Sequence, residues 1–318
     1  MRAIQVGQFG GPDVLELVDL PDPKAGPDEV IIRVKAAGVN PVDTYQRAGA
    51  HGYHPTLPFT PGIDGAGEVV TVGSSVTGLA AGDRVWIGGS VTGTYAELCV
   101  CKSDRVHRLS ASLSFEQGAC LYVNYATAYR ALFQRGEATR GSVVLVHGAT
   151  GGVGFASVQW AVHAGLDVIA TYGSEIGREL LVAQGAGRVV SHTEASHVAT
   201  LVEDGVSVDV VIEMLADVNL EDDLNLLRMG GRVVVVGSRG TIEITPRKLM
   251  SRAADIRGMS LANADETELR EIYDAIDSGV RAGALAPAIQ RTYPLARAAE
   301  AHHEVIENRS HGKIVLIP

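Results

Sequence analysis

A glycine-rich turn near the middle of the sequence follows a short apolar run. The segment Ala149-x-Gly151-x-x-Gly154 has the spacing of the dinucleotide-binding fingerprint, with alanine in place of the first glycine. Gly151 would let the backbone approach a pyrophosphate, and Gly154 would let the next helix pack closely on a sheet. The backbone N–H groups of Gly152 and Val153 would then face the anion at a helix N-terminus. The turn predicts a dinucleotide site; a tight turn without a ligand is the alternative.

The next predicted strand, residues 167–172, ends without an acidic residue. An NAD-specific site normally has Asp or Glu there to hold the ribose 2′-hydroxyl. Ser174 and Arg178 follow instead, and an arginine one turn into the next helix could bind a 2′-phosphate. The sequence therefore favours NADPH over NADH. A solvated helix residue is the alternative interpretation of Arg178.

A second glycine-rich segment, residues 230–240, contains an apolar strand that ends in small residues. Ligands of open α/β sheets bind at the carboxyl edge of the strands. We therefore expect four residues to border the nicotinamide half of the cofactor: Val236, Gly237, Ser238 and Arg239. The strand before this segment ends in Glu213, which is interpreted as a paired structural acid or as a polar contact to the ligand.

A parallel sheet is needed to bring these residues together. Strand and helix patterns alternate after about residue 117, with strands predicted at 143–147, 167–172, 188–192, 208–214, 232–237 and 255–261. Helical patterns lie between them at 153–164, 175–184, 194–203 and 220–229. Apolar strands that alternate with helices of crossover length predict parallel pairing with right-handed connections. This part of the chain is predicted to be a doubly wound α/β nucleotide-binding sheet.

The flanking segments have shorter elements. The first 119 residues contain β-branched runs at 30–36, 67–72, 84–87 and 95–100, separated by Gly and Pro turns, which predict a small barrel-like β lobe. Amphipathic helices are predicted at 265–278 and 296–307, and a last strand at 312–317. We expect this tail to return to the first lobe, so that residues 1–120 and 262–318 form one domain and 121–261 the other.

Composition restricts the class of protein. The 318 residues are 46% hydrophobic and 20% charged, which is typical of a globular protein and large enough for two domains. The net charge of −10 opposes a general attraction to nucleic acids. Three cysteines without a Cys-x-x-Cys pair favour a reducing compartment. Since no stretch is long and apolar enough to span or target a membrane, we expect a cytoplasmic protein with no membrane partner.

No metal is expected from the cysteine and histidine pattern. Cys99 and Cys101 would share one face of a strand, but two thiols without His or carboxylate neighbours make a poor tetrahedral site. The adjacent His302 and His303 would point in different directions from a helix, which favours structural or surface roles.

Several motifs together resemble the medium-chain dehydrogenase/reductase superfamily, and within it the zinc-free quinone oxidoreductases of the zeta-crystallin type. The motifs span most of the chain: FGGP at 9–12, GVNPVDTY at 38–45, PGIDGAG at 61–67, TAYRAL at 127–132, the glycine-rich turn, IEMLA at 212–216 and GGRVVVVGSRGTIEI at 230–244. One departure is Asn124, where relatives have proline. The resemblance implies a GroES-like β lobe interrupted by a Rossmann lobe, with an active site in the cleft between them.

The resemblance also implies NADPH as the cofactor and a set of site residues. The cofactor-binding positions that carry over are Tyr45, Thr127, Thr150, Gly151, Gly152, Val153, Gly173, His192, Asn219, Val236, Gly237, Ser238 and Arg239. A homo-oligomer, either a homodimer or a homotetramer, is implied as well, with the strand at 255–261 as the expected pairing edge.

The implied reaction is metal-independent reduction of a quinone or another conjugated carbonyl by NADPH. The zinc alcohol dehydrogenases of the superfamily have Cys at the place of Val39 and Asn40, and Gly-His-Glu at 62–64, where this chain has Gly-Ile-Asp. Tyr45 and Asn40 are the candidate catalytic residues, since a phenol and an amide can orient a carbonyl oxygen; Asn40-Pro41 is also a turn signal. The alternatives are a 2-alkenal or enoyl reductase and a non-catalytic, crystallin-like protein that binds NADPH or RNA.

Overall fold

The computed structural model describes residues 1–193, 197–307 and 311–318, which form two compact units. One unit comprises Met1–Val123 and Ala286–Pro318, and the other comprises Asn124–Leu285. Residues 194–196, the start of the helix predicted at 194–203, lie outside the described residues. Among the described helices, none combines the length and hydropathy needed to cross a bilayer.

The first part of the chain is rich in antiparallel strands. Its elements are β1 (Arg2–Val6), β2 (Leu15–Asp19), β3 (Glu29–Val39), α1 (Pro41–Ala48), β4 (Asp64–Val72), β5 (Arg84–Gly88), β6 (Leu98–Lys102), β7 (Val106–Arg108) and α2 (Phe115–Gly118). Two 3₁₀ turns, Pro12–Val14 and Ser103–Arg105, connect them. The long strand β3 pairs with both β4 and β6, and most of its side chains are buried. It therefore forms the centre of this unit's core.

The second unit alternates strands and helices. Its elements are α3 (Thr127–Tyr129), between π-helical turns at Tyr122–Ala126 and Arg130–Arg135, then β8 (Val143–Val146), α4 (Gly152–His163), β9 (Asp167–Tyr172), α5 (Glu175–Ala183), β10 (Arg188–Ser191), α6 (His197–Glu203), β11 (Val208–Glu213), α7 (Ala216–Asp223), β12 (Leu227–Val235), α8 (Pro246–Arg252), β13 (Asp255–Gly258) and α9 (Glu266–Arg281). Leu261–Asn263 forms a 3₁₀ turn.

The strands of the second unit form a six-stranded sheet in the order β10-β9-β8-β11-β12-β13, and every pairing is parallel. The predicted doubly wound sheet is confirmed. The strand order reverses direction between β8 and β11, and in such sheets ligands bind at the carboxyl ends of the strands where this reversal occurs.

The last elements are β14 (Ile289–Pro294), α10 (Ala298–Glu307) and β15 (Lys313–Ile317), with a 3₁₀ turn at Leu295–Arg297. Strand β15 pairs antiparallel with β3, so the end of the chain joins the seven-stranded sheet of the first unit.

The boundary between the units differs from the predicted position at 261/262. The structure places it after Leu285, because α9 packs within the second unit. The Tyr129 hydroxyl donates to Glu271 Oε1 at 2.8 Å, and a Cβ on Gly279 would lie 3.3 Å from the Trp160 ring. These contacts assign residues 262–285 to the second unit.

Two predicted elements were partly wrong. The helical pattern at 220–229 ends as a helix at Asp223, and its last residues belong to β12. The strand predicted at 95–100 lies at Leu98–Lys102, because it is there that the chain pairs with β3.

Candidate functional site

The glycine-rich turn joins β8 to α4, as its spacing predicts. A Cβ on Gly154 would lie 2.3 Å from the Gly148 carbonyl oxygen, so close packing requires glycine at this position. A Cβ on Gly151 would meet only that same oxygen, at 3.4 Å, which leaves the space before the helix open. The N-cap residue of α4 is Gly151, which has no side chain that could cap the helix. A helix N-terminus that begins at glycine suits a phosphate group.

The end of β9 is joined to this turn. The Gly148 N–H donates to Thr171 Oγ1 at 2.9 Å, and the same hydroxyl lies 3.4 Å from His192 Nδ1. A Cβ on Gly173 would be 2.7 Å from His192 Nε2, so the exposed His192 ring lies directly beside Gly173. The structure therefore brings the predicted residues Gly173 and His192 next to the glycine-rich turn.

The next helix begins at the predicted Ser174. The Ser174 hydroxyl accepts from the Gly177 N–H at 3.2 Å and caps α5. A Cβ on Gly177 would lie 2.6 Å from Thr150 Cγ2, so α5 packs directly against the glycine-rich turn. Arg178 is partly exposed, and its Nε donates to Glu175 Oε1 at 2.6 Å. This exposed ion pair with Glu175 competes for the guanidinium that was predicted to bind a 2′-phosphate.

The loops after β11 and β12 are bonded to each other. The Glu213 carbonyl oxygen accepts from Val236 N–H at 2.8 Å and from Gly237 N–H at 3.2 Å. Asp217 Oδ1 accepts from the Ser238 hydroxyl at 3.2 Å and from the Arg239 N–H at 2.8 Å. The segment from Val236 to Arg239 is therefore held at the carboxyl edge of the sheet.

Glu213 belongs to a buried cluster that sequence analysis did not assemble. His147 Nε2 lies 2.7 Å from Asp223 Oδ1 and 3.5 Å from Glu213 Oε2, and the three side chains are at most 2% exposed. The interpretation of Glu213 as a paired structural acid agrees with this geometry. Sequence analysis missed His147 and Asp223. His147 ends an apolar run, as Glu213 does, and this was an available signal for His147. Asp223 ends a polar segment and gave no such signal. We call His147, Glu213 and Asp223 the carboxyl cluster.

Burial shifts the ionisation of the carboxyl cluster. It raises the pKa of Glu213 to about 8 and that of Asp223 to about 7, and it lowers the pKa of His147. The ligand atoms of all three groups lie within 4.8 Å of one another, a spacing at which such groups share protons or hold a metal ion.

Thr127 and Asn124 lie on the helical stretch that precedes β8. Thr127 is buried in α3. Asn124 lies in the π-helical turn and is 4% exposed. A Cβ on Gly152 would be 2.7 Å from Asn124 Oδ1, so the Asn124 side chain packs against the glycine-rich turn.

In the first unit, Tyr45 lies on α1 and not on the predicted loop. Its ring is partly exposed and makes an edge contact with His51, with ring centroids 4.6 Å apart. The Tyr53 ring lies 6.4 Å away from it. Tyr45 thus belongs to a small aromatic cluster at the end of α1.

Asn40, the second predicted catalytic residue, is fully buried, and both ends of its amide are bonded within the protein. Its Nδ2 donates to Asp64 Oδ2 at 3.0 Å, and its Oδ1 accepts from the Lys313 ammonium group. Asn40 also caps α1, because its backbone N–H donates to Asp43 Oδ2 at 2.8 Å. Burial raises the pKa of Asp43 to about 7.

Lys313 is the cation of this buried network. Its Nζ donates to the Val39 carbonyl oxygen at 2.7 Å and lies 3.9 Å from Asp64 Oδ2. Asp64 Oδ1 accepts from the Val123 N–H at 2.8 Å. We call Asn40, Asp64 and Lys313 the lysine cluster.

The other candidate ligands have structural partners. The Sγ atoms of Cys99 and Cys101 are buried and 3.8 Å apart on one strand face, as predicted. His302 is buried with its Nε2 3.1 Å from the Tyr95 hydroxyl. His303 is exposed, and its Nε2 lies 2.9 Å from Glu307 Oε2. The predicted structural and surface roles of the two histidines agree with these contacts.

Comparisons with known proteins agree with these features. Residues 155–316 match the family model described as zinc-binding dehydrogenase, and residues 26–111 match the alcohol dehydrogenase GroES-like domain. Quinone oxidoreductase of Mus musculus is 45% identical over 325 residues, which cover 100% of this chain and 98% of the mouse protein. The solved structure of an NAD-dependent alcohol dehydrogenase has a TM-score of 0.91 at 31% identity, with 100% of both chains covered. Escherichia coli quinone oxidoreductase complexed with NADPH has a TM-score of 0.90 at 30% identity, also over 100% of both chains.

Proposed function

Because this chain belongs to the quinone oxidoreductases of the medium-chain dehydrogenase/reductase superfamily, we propose that it reduces a quinone with NADPH and without a metal ion. The observation that carries the proposal is the similarity to mouse quinone oxidoreductase, 45% identity across 100% of the chain. The open glycine-rich turn before α4 supports a dinucleotide cofactor independently.

The residues at the carboxyl edge of the six-stranded sheet fit this cofactor. The N–H groups at the start of α4, from Gly152 and Val153, would hold the pyrophosphate. Ser174 and Arg178 would contact the 2′-phosphate, and the segment from Val236 to Arg239 would border the nicotinamide. When bound, NADPH supplies the reducing equivalents. The protein residues bind and orient it.

The chain does not fit the catalytic zinc that the name of the family model implies. Val39 and Ile63 lie where the zinc enzymes have Cys and His, and neither side chain has a ligand atom. Asn40 and Asp64 are already bound to the Lys313 ammonium group. A second cation beside this ammonium would be repelled. The proposed reaction therefore uses no Lewis acid.

Tyr45 is proposed to orient the quinone by hydrogen bonding to its oxygen. Reduction of a quinone gives a delocalised, weakly basic oxygen, so solvent can supply the proton after the slow step. Orientation alone can lower a bimolecular barrier by about 7 to 11 kcal/mol. Asn40 acts only as a positioning residue, since it caps the helix that carries Tyr45.

The test is a panel of acceptors under steady-state turnover. NADPH oxidation is followed with small quinones, 2-alkenals and enoyl thioesters, and alcohol oxidation is measured with NAD⁺ and NADP⁺. We expect the quinones to have the highest kcat/KM. Faster reduction of an alkenal would indicate the 2-alkenal or enoyl reductase, and salt-sensitive RNA retention without turnover would indicate a binding protein.

A homo-oligomer is proposed in addition, as either a homodimer or a homotetramer. Strand β13 is the last strand of the parallel sheet, and Asp255 and Gly258 at its two ends are exposed. Extension of the sheet across a two-fold axis would satisfy edge hydrogen bonds on both chains. Sedimentation at micromolar concentration should give at least twice the 33.4 kDa chain mass, whereas a monomer would reject the proposal.

We propose the cytoplasm as the location. Cys99, Cys101 and Cys120 are buried thiols that form no disulfide among the described residues, which suits a reducing compartment. Fractionation of source cells should recover the protein with soluble cytoplasmic markers.

A further inference from the structure

The carboxyl cluster joins three elements that adjoin the proposed cofactor site. His147 follows β8 and directly precedes the glycine-rich turn, Glu213 ends β11, and Asp223 ends α7. Glu213 and Asp223 have no exposed surface, and His147 is 2% exposed. The proposed mechanism uses none of these titratable groups.

The Glu213 and Asp223 carboxyl groups are placed so that they share one proton. Glu213 Oε2 and Asp223 Oδ2 are buried and make no hydrogen bond to a donor among the described residues. Charging both of two adjacent carboxylates in an interior that excludes water is costly, so the second ionises only at a higher pH. Burial, with a smaller contribution from the Asp223 carboxylate, raises the pKa of Glu213 to about 8. Near neutral pH the pair therefore retains one proton beside His147.

The other oxygen of Glu213 holds the loop after β11. Glu213 Oε1 accepts from the Leu215 N–H and from Asn219 Nδ2, the latter at 3.2 Å. The Glu213 carbonyl oxygen accepts from Val236 and Gly237. One residue thus bonds to the start of α7, which carries the predicted cofactor-binding residue Asn219, and to the segment that we expect to border the nicotinamide.

We propose that Glu213 is a positioning residue for NADPH: the proton that it shares with Asp223 keeps its carboxyl group in place, and this group holds Leu215 and Asn219 in the conformation that binds the cofactor. This inference rests on the proposed function. Loss of the shared proton leaves two adjacent charges, which push Glu213 away from Asp223 and disturb the loop.

Two further titratable groups face the carboxyl cluster among the described residues. His147, which follows β8, lies between the two acids, and His197 on α6 packs edge-on against it with ring centroids 5.7 Å apart. Asp222 adjoins Asp223 on α7. A phosphate monoester has its second pKa near 6, so the cofactor's own charge is constant at alkaline pH. A loss of affinity at alkaline pH therefore reports on the protein.

NADPH binding to the full-length protein is titrated by fluorescence from pH 6 to about pH 9.5. We expect the wild-type Kd to rise about tenfold above pH 8, the change that one pKa unit of coupling produces. Glu213→Gln keeps an acceptor oxygen but cannot ionise, so its Kd should match wild type at pH 7 and stay constant to pH 9.5. The KM for NADPH should show the same pH dependence in the wild type, and the effect of alkaline pH should appear in KM and not in kcat.

Glu221→Gln is the matched control, because Glu221 lies on α7, the helix that carries Asp223, but pairs with Lys248 Nζ at 2.6 Å. It should keep the wild-type pH dependence. A wild-type Kd that is constant to pH 9.5, or an alkaline rise that persists in Glu213→Gln, would overturn the proposal. So would one metal equivalent per wild-type chain that Glu213→Gln lacks. Absence of any NADPH binding at pH 7 would instead reject the proposed function, and this inference with it. Normal binding without quinone turnover would reject the function alone and leave the role of Glu213 standing.

Discussion

At the scale of single residues, Tyr45 is where the proposed mechanism can be contradicted most directly. We expect Tyr45→Phe to lower kcat for a quinone by well under the 10²- to about 10⁴-fold that removal of an acid–base group costs. The physical reason is that the phenol orients the acceptor and does not protonate it. The measurement is NADPH oxidation by a saturating quinone across pH for both proteins.

A loss above about a thousandfold in Tyr45→Phe, with one titrating limb missing from the pH profile, would make Tyr45 a proton donor. Tyr53→Phe is a suitable control because the Tyr53 ring lies in the same aromatic cluster, 6.4 Å from Tyr45. It should change the rate less than Tyr45→Phe does.

Arg178 is expected to set the preference for NADPH over NADH. A charge-assisted phosphate contact contributes roughly 1.5 to 3 kcal/mol, so Arg178→Ala should weaken NADPH binding about ten- to a hundredfold and leave NADH binding unchanged. Dissociation constants for both cofactors, measured by fluorescence titration, test this.

Substitution of Glu175, the ion-pair partner of Arg178, should change the cofactor preference in the opposite direction. Glu175→Gln removes the carboxylate that lies 2.6 Å from the Arg178 guanidinium. The ratio of the NADH to the NADPH dissociation constant should therefore increase. Equal affinities for the two cofactors in the wild type would reject the idea. An unchanged ratio in Arg178→Ala would move the role to His192 or Arg239. Lys313 is not an alternative, since it is 5% exposed and bonded to Val39 and Asn40.

At the scale of secondary-structure elements, the lysine cluster joins β15 to β3, β4 and the start of α1. Lys313→Met keeps most of the side-chain volume but leaves the fully buried Asp64 without its cation. Loss of one partner of a buried ion pair costs about 3 to 5 kcal/mol, so the free energy of unfolding should fall by that order. Denaturant unfolding followed by circular dichroism measures the change.

Lys35→Met is the matched control for this prediction. Lys35 pairs with Glu68 at 3.1 Å, but the side chain is 38% exposed, so its loss should cost less than about 1 kcal/mol. Combining Lys313→Met with Asp64→Asn should recover part of the stability, because the uncompensated charge is then removed. A Lys313→Met protein as stable as wild type would show that the ammonium is not needed to stabilise the fold.

At the scale of the whole molecule, the chain should function without zinc. Protein from metal-replete cells should contain no stoichiometric zinc and should keep its turnover in chelator, since Val39 and Ile63 offer no ligand atom. Elemental analysis and chelator-treated assays test this. One zinc per chain, lost together with activity, would contradict it.

Much of the architecture could be predicted because it depends on residues that are close together in the sequence. The glycine-rich turn needs glycine at positions only a few residues apart, and apolar strands alternate with helices along the chain, so the six-stranded parallel sheet followed from periodicity. The ends of individual helices and strands were predicted less accurately. The pattern at 220–229 has helical spacing, yet pairing with β11 draws Leu227 and the residues after it into a strand.

The tertiary structure alone decided which polar groups meet. Asp223 reaches His147 across 76 residues, and Lys313 reaches Asn40 across 273, because strand order and chain return bring these positions together. The structure therefore shows that Asn40 is buried against Asp64 and Lys313, and it identifies His147 and Asp223 as the neighbours of Glu213, for which the sequence predicted a partner without naming one. Local spacing fixes backbone conformation, whereas the partner of a buried charge depends on which distant strand lies beside it.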